Sequence, residues 1–183
     1  GESGRSQLID LDSDGRLELA TLAQGAGGYF DRTDEGGWTP FRPFRAFPLV
    51  DFSSPNVRLT DLSGDGLADI LIMDDQAITW HPSLGDAGFG EAVRVRVPWN
   101  EERGPRVLFG HPDQAVFLAD MSGDGLADLV RVRNGEVCYW PNLGHGLFGA
   151  SVTMEGAPCF DEDGIFDARR IRFADVDGSG PTD

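Results

Sequence analysis

A nine-residue phrase recurs along the chain and constrains its fold more than any other feature. Residues 61–69 read DLSGDGLAD and residues 120–128 read DMSGDGLAD. Diverged copies are DLDSDGRLE at 10–18 and DVDGSGPTD at 175–183. Their first aspartates stand 51, 59 and 55 residues apart. Self-similarity at such a period marks a repeat architecture, in which a unit buries its apolar face only against its neighbours. Carboxylates or hydroxyls at positions 1, 3, 5 and 9, with Gly at 6, follow most of an EF-hand calcium loop. The twelfth-position Glu of that loop is replaced by Ile72 and Arg131, which separates the motif from a helix-loop-helix sensor.

Each repeat divides into short strand-like runs. In the second these are Val57–Thr60, Ala68–Met73, Ala77–His81 and Glu91–Val97. The third follows the same plan with Ala115–Ala119, Leu126–Arg133, Glu136–Trp140 and Ala150–Met154. Asn134-Gly135 between two such runs predicts a type I′ hairpin turn, which needs positive φ at both residues. Four strands per unit describe a propeller blade. The expected fold is therefore all-β, a partial β-propeller of about three four-stranded blades. The 183 residues form a single repeat domain, with repeats near 8–55, 56–113 and 114–170 and the start of a further one at 171–183. About four to eight blades close a ring, so the chain reads as an arc of a larger propeller. Open blade edges on such an arc invite self-association.

A second block aligns without gaps. Residues 80–90, WHPSLGDAGFG, match 139–149, YWPNLGHGLFG. Pro ends strand pairing and the glycines allow a tight reversal, which would fold Phe89 and Phe148 back onto the sheet. Trp80, Tyr139 and Trp140 serve blade packing in one reading and an aromatic ligand platform in the other. The copies differ most in their connections, at 36–55, 98–113 and 156–170, where recognition is usually placed. The first carries Trp38, Phe41, Phe44 and Phe47 among Arg42 and Arg45. Such a segment either covers a neighbouring blade or contacts a protein partner.

The 31 acidic and 15 basic residues give a formal charge of −16, and 13 of the acids lie in the four motif copies. That balance argues against a nucleic-acid surface, which needs clustered cations. No apolar run reaches transmembrane length, so this segment is not expected to insert in a membrane. The first residues do not form a signal peptide, which leaves signal-independent secretion or a missing leader. Cys138 and Cys159 lack metal or redox spacing. His81, His111 and His145 sit in no nucleophile motif. No catalytic constellation is found, and no enzymatic activity is expected.

If the loops hold calcium, its ligands are Asp10, Asp12, Asp14 and Glu18 in the first copy. Asp61, Ser63, Asp65, Asp69 and the Leu67 carbonyl serve in the second; Asp120, Ser122, Asp124, Asp128 and the Leu126 carbonyl serve in the third. Calcium takes about six to eight oxygens, which such loops can approach. The competing reading gives these acids to backbone amides in Asx-type turns, with no ion. Ser at the third position favours that reading, because a hydroxyl is a poorer ligand than a carboxylate.

These loops, with their trailing Asn/Ser-Leu-Gly-x-x-x-Phe-Gly segments, resemble the FG-GAP/VCBS repeats of integrin α-subunit-like propellers. More narrowly, DLSGDGLADILIM, YWPNLGHGLFG, RRIRFADVDGSGPTD and GGWTPFRPF look like the B component of bacterial insecticidal toxin complexes, the SpvB-related group. That resemblance implies a secreted scaffold whose propeller docks on the pore-forming A component. It also implies that the B subunit joins the C component in a shell around the toxic enzyme. The alternative from another class is a calcium-dependent adhesin or lectin-like propeller that binds a glycan or receptor.

Overall fold

The computed structural model describes residues 5–23, 25–111, 114–159, 167 and 170–175. Most of the fourth motif copy, at 176–183, and much of the 156–170 connection lie outside the described residues.

Three four-stranded antiparallel sheets follow one another along the chain. The first blade is built from β1 (Arg5–Ile9), β2 (Glu18–Ala23), β3 (Ala26–Phe30) and β4 (Arg42–Pro43). The second contains β5 (Val57–Thr60), β6 (Asp69–Met73), β7 (Ala77–His81) and β8 (Val93–Arg96). The third contains β9 (Ala115–Ala119), β10 (Asp128–Arg133), β11 (Glu136–Trp140) and β12 (Val152–Met154). The named helical elements of the described residues are two single 3-10 turns, Gly85–Ala87 and Glu101–Arg103. No helix of the described residues is long and apolar enough to cross a membrane. The all-β partial propeller is thus the observed fold.

The strand pattern explains how blades stack. Alternation sends successive side chains to opposite faces, so each sheet has two apolar faces to cover. Leu71, Met73 and Trp80 on one face of the second blade pack with Leu129 and Trp140 of the third. On its other face, Ile70 and Phe89 pack with Leu22, Tyr29 and Phe44 of the first. Ile70, Leu71, Leu129 and Trp140 are fully buried, and burying each such side chain contributes about 1.5–3 kcal/mol. Phe117 and Tyr139 on the far face of the third blade meet Ile171 and Phe173 from the start of the next repeat.

The β10–β11 hairpin departs from the expected turn type. Gly135 has φ 78°, but Asn134 is not among the non-glycine residues with positive φ, so the turn is not type I′. The Gly135 N–H donates to the Pro158 carbonyl at 3.2 Å. The reversal is tied to the next connection, which local sequence does not encode.

Candidate functional site: the aspartate loops and the exposed connections

The ninth motif residue begins the second strand of each blade, which buries its carboxylate beneath the loop. Asp69 and Asp128 are completely buried and Glu18 nearly so. Asp69 accepts the Leu62 N–H at 3.0 Å and the Ser83 N–H at 2.7 Å. Asp128 accepts from Met121 and Ser122, both at 2.9 Å, and from Asn142 at 2.8 Å. One carboxylate thus fastens the aspartate loop to the turn after the third strand. Burial pushes the Asp69 carboxyl above its usual range, and Asp65 and Asp61 add to the push against the two amide hydrogen bonds.

The first motif residue organises the loop itself. Asp61 accepts N–H groups from Ser63, Gly64 and Gly66 at 3.1, 2.7 and 2.8 Å. Asp120 does the same with Gly123, Asp124 and Gly125 at 2.7, 3.2 and 2.9 Å. Gly66 and Gly125 have φ 83° and 89°, where a β-carbon would be strained. Asp65 and Asp124 turn to the N–H groups of Leu67 and Leu126, both at 2.9 Å. Ser63 and Ser122 are held through their own amides. In the second and third loops the acids therefore take part in Asx-type hydrogen bonding.

The first loop is built differently. Asp10, Asp12 and Glu18 each bring an oxygen within 4.8 Å of the others, and this is the one such group among the described residues. Asp14 is not part of it and accepts the Arg16 N–H at 2.7 Å. Asp10 accepts the Gly15 N–H with Oδ2 at 2.9 Å, while its buried Oδ1 has no hydrogen-bond partner. Ser13 adopts φ 60° where the other loops have Gly64 and Gly123. Burial pushes the Glu18 carboxyl up, Leu11 N–H opposes the shift, and Asp12 and Asp10 add to it. A divalent cation is one way to relieve this crowding, and the donor set is hard oxygen, which suits calcium.

The aromatic block after the third strand proves to be packing. Trp80 and Trp140 are buried, and Phe89 is sealed between the first two blades. The space that would hold a β-carbon on Gly146 is filled by the Trp80 ring. The first blade has the same turn without the P-x-L-G letters. Thr39 N–H meets the Asp31 carbonyl there, as Gly90 meets Pro82 and Gly149 meets Pro141. Trp38 is the counterpart of Phe89 and Phe148, each of the three lying twenty residues after the ninth motif position. That fixed offset is the signal that the divergent letters hide.

The connections divide into buried and exposed aromatics. Phe44 and Phe52 are buried between the first and second blades, and Phe47 packs with them. Trp38 and Phe41 remain about half exposed, and Trp99 is 91% exposed. Leu8, Leu17 and Trp38 lie on the open face of the first blade. Their counterparts Leu59, Ala68 and Phe89 pack against the preceding blade.

Residues 61–131 match the FG-GAP-like repeat family. No curated protein sequence matches the chain. Among solved structures, one describes specific recognition of non-reducing terminal N-acetylglucosamine by an Agrocybe aegerita lectin. It is 22% identical, with TM-score 0.58 over 82% of this chain and 38% of that one. Another is TcdB2-TccC3 without its hypervariable C-terminal region. It is 19% identical, with TM-score 0.54 over 97% of this chain and 13% of that one. The chain therefore spans well under half of either neighbour, and at these identities the likeness is one of fold.

Proposed function

We propose that this chain is a non-enzymatic interaction scaffold of a secreted bacterial toxin complex. In this reading it helps dock a B/C shell on a pore-forming A component. The observation that carries the reading is the division of labour in each FG-GAP-like repeat. Most acids of the second and third loops are engaged in holding the blade together, whereas exposed aromatic and arginine side chains gather on the connections. Aromatic and Arg anchors at loops suit protein recognition. The fold-level likeness to TcdB2-TccC3 supports the toxin-complex setting. The open face of the first blade supports self-association as a further contact, since its counterparts bury against another blade. Size-exclusion chromatography with light scattering on the chain mixed with A and C components tests the role. Co-elution with the A component is expected, and its absence at micromolar concentrations overturns the docking role.

A lectin-like reading is favoured by one observation, a shallow cavity of about 490 Å³ lined by Arg16, Leu17, Arg32, Thr33 and Asp34. It adjoins the first aspartate loop, where Asp10, Asp12 and Glu18 would hold calcium. The ion would neutralise crowded charge and stiffen the cavity wall. Calcium-dependent binding of N-acetylglucosamine-terminated glycans, abolished by Arg32→Ala, is the outcome that would favour this reading.

A further inference from the structure

The 98–104 connection carries a site that the scaffold role alone does not require. Trp99 is the most exposed large apolar side chain described, at 91%. Its loop is nevertheless anchored on both sides, and ahead of it the Val97 N–H donates to the Gln76 carbonyl at 2.9 Å. Asn100 accepts the Glu102 N–H at 2.9 Å, and the Glu101 carbonyl accepts the Trp140 indole N–H at 2.7 Å. The Glu101 carboxylate is fixed by Arg131, a nearly buried guanidinium that also binds Glu136, each at 2.6 Å. The Ser151 N–H donates to the Glu102 carbonyl at 3.0 Å. The third blade thus holds an indole out into solvent on a fixed backbone, which lowers the ordering cost of binding.

Beside that indole lies a cavity of about 380 Å³ lined by Asp75, Gln76, Arg96, Val97, Trp99 and Arg106. A guanidinium N–H of Arg106 donates to the Trp99 carbonyl at 3.2 Å, which ties this cavity-lining side chain to the Trp99 backbone. Arg96 forms no ion pair among the described residues, whereas neighbouring Arg94 is paired with Asp74 at 3.3 Å. Two guanidinia therefore face one unpaired carboxylate, Asp75, in a chain whose net charge is −16. All 15 basic residues are arginines, and four of them fall between 94 and 106. A second cavity of about 310 Å³, lined by Gln76, Ala77, Arg94 and Arg96, continues the groove along the outer strand β8. The site is long and shallow and runs beside an edge strand, the geometry an extended polypeptide uses.

We propose that the Trp99–Arg96–Arg106 groove binds an extended acidic polypeptide segment. A carboxylate sits between the two guanidinia and an apolar side chain lies on the indole. Planar guanidinium matches carboxylate in bidentate fashion, and Trp with Arg is the pairing that dominates protein hot spots. A polyanion such as nucleic acid suits the site less, because the chain's net charge repels it. A short segment is reached by the local pair, since charges beyond about 8–10 Å are screened at ordinary salt. The site deepens the interaction-scaffold reading and rests on it for its biological partner.

The test uses the full chain labelled with 5-fluorotryptophan, with the Trp99 fluorine resonance assigned through Trp99→Phe. The probe is a blocked pentapeptide alternating glutamate and phenylalanine. It should shift the Trp99 resonance and leave Trp80 and Trp140 unmoved. Arg96→Glu and Trp99→Ala, both on exposed positions, should each weaken binding about 10-fold or more. Salt of about 1 M, which shortens screening to about 3 Å, should weaken it further. The proposal is overturned if the peptide leaves Trp99 unmoved at millimolar concentration, or if Arg96→Glu has no effect. An equal response to the glutamine-phenylalanine peptide, or to chitotriose instead of the acidic peptide, also overturns it. Co-elution with the A component that persists in Trp99→Ala would overturn only the groove's part in docking. Peptide binding without co-elution would overturn the toxin-complex partner and keep the groove.

Discussion

The first aspartate loop and its two successors have nearly the same letters but differ in how their acids meet backbone donors. In the second and third, Asp61 and Asp120 each take three backbone N–H groups, and Ser occupies the third position. In the first, Asp12 stands at that position, Asp10 and Glu18 crowd it, and Asp10 Oδ1 is buried without a donor. The third position, a hydroxyl in two loops and a carboxylate in the first, is the simplest difference to test as the origin of this crowding. The repeat hallmark is thus foremost a bracket within the blade, and the first copy is the one where a cation is worth testing.

Removing the bracket should have the largest effect. Asp128→Ala leaves the amides of Met121, Ser122 and Asn142 without their acceptor. An unsatisfied amide costs about 1–3 kcal/mol where it is buried, as at Asn142, and less at the part-buried Met121 and Ser122, so urea unfolding should show a loss of about 2–4 kcal/mol. Asp124→Ala, on the exposed rim, should lose less than about 1 kcal/mol by the same measurement. Equal losses would remove the distinction between bracket and rim. Ser63→Asp rebuilds the crowding in the second loop, and in chelator it should cost about 1 kcal/mol through like-charge repulsion. That variant should also gain a calcium response in thermal melting; a neutral result would show that the third position does not decide the matter.

The smallest effect concerns pH. The Glu18 carboxyl is raised by burial and by Asp12 and Asp10, so the folded chain holds its proton at a higher pH than the unfolded chain. Its contribution to stability is fully present below the ordinary Glu value and is lost as pH rises through the elevated folded value. Glu18→Gln keeps an acceptor for Leu11 and removes the charge. In chelator it should match the parent at low pH and exceed it at neutral pH, by less than about 1 kcal/mol. An identical pH dependence of melting in the two proteins would contradict the crowding.

Much of the fold was legible because alternation and turn residues agree in the second and third repeats. Val57–Thr60, Ala77–His81, Ala115–Ala119 and Glu136–Trp140 are strands with the bounds their patterns predict. The first blade was less legible: Asp31-Arg32-Thr33 supplies by backbone geometry what Pro82-Ser83-Leu84 supplies by residue type. The Asn134-Gly135 hairpin lies where the sequence places it; only its turn type differs, and there the Gly135 N–H is bound to the Pro158 carbonyl. In the site, composition showed where acids gather but not whether amides meet them. That depends on loop dihedrals, such as the positive φ of Ser13. The exposure of Trp99 depends on Trp140 and Arg131 anchoring its neighbours, contacts about 30 to 39 residues apart in the chain.

The most direct test of the account is a calcium titration of the full chain by calorimetry, paired with the double variant Asp12→Ser, Ser13→Gly. That variant gives the first loop the third and fourth residues of the second. The parent should bind one calcium and gain about 2.7 kcal/mol of stability at a hundredfold excess over its dissociation constant. The double variant should bind none and be at least as stable as the parent in chelator. Three equivalent sites in the parent, or calcium binding undiminished in the double variant, would contradict a division between one crowded loop and two self-satisfied ones.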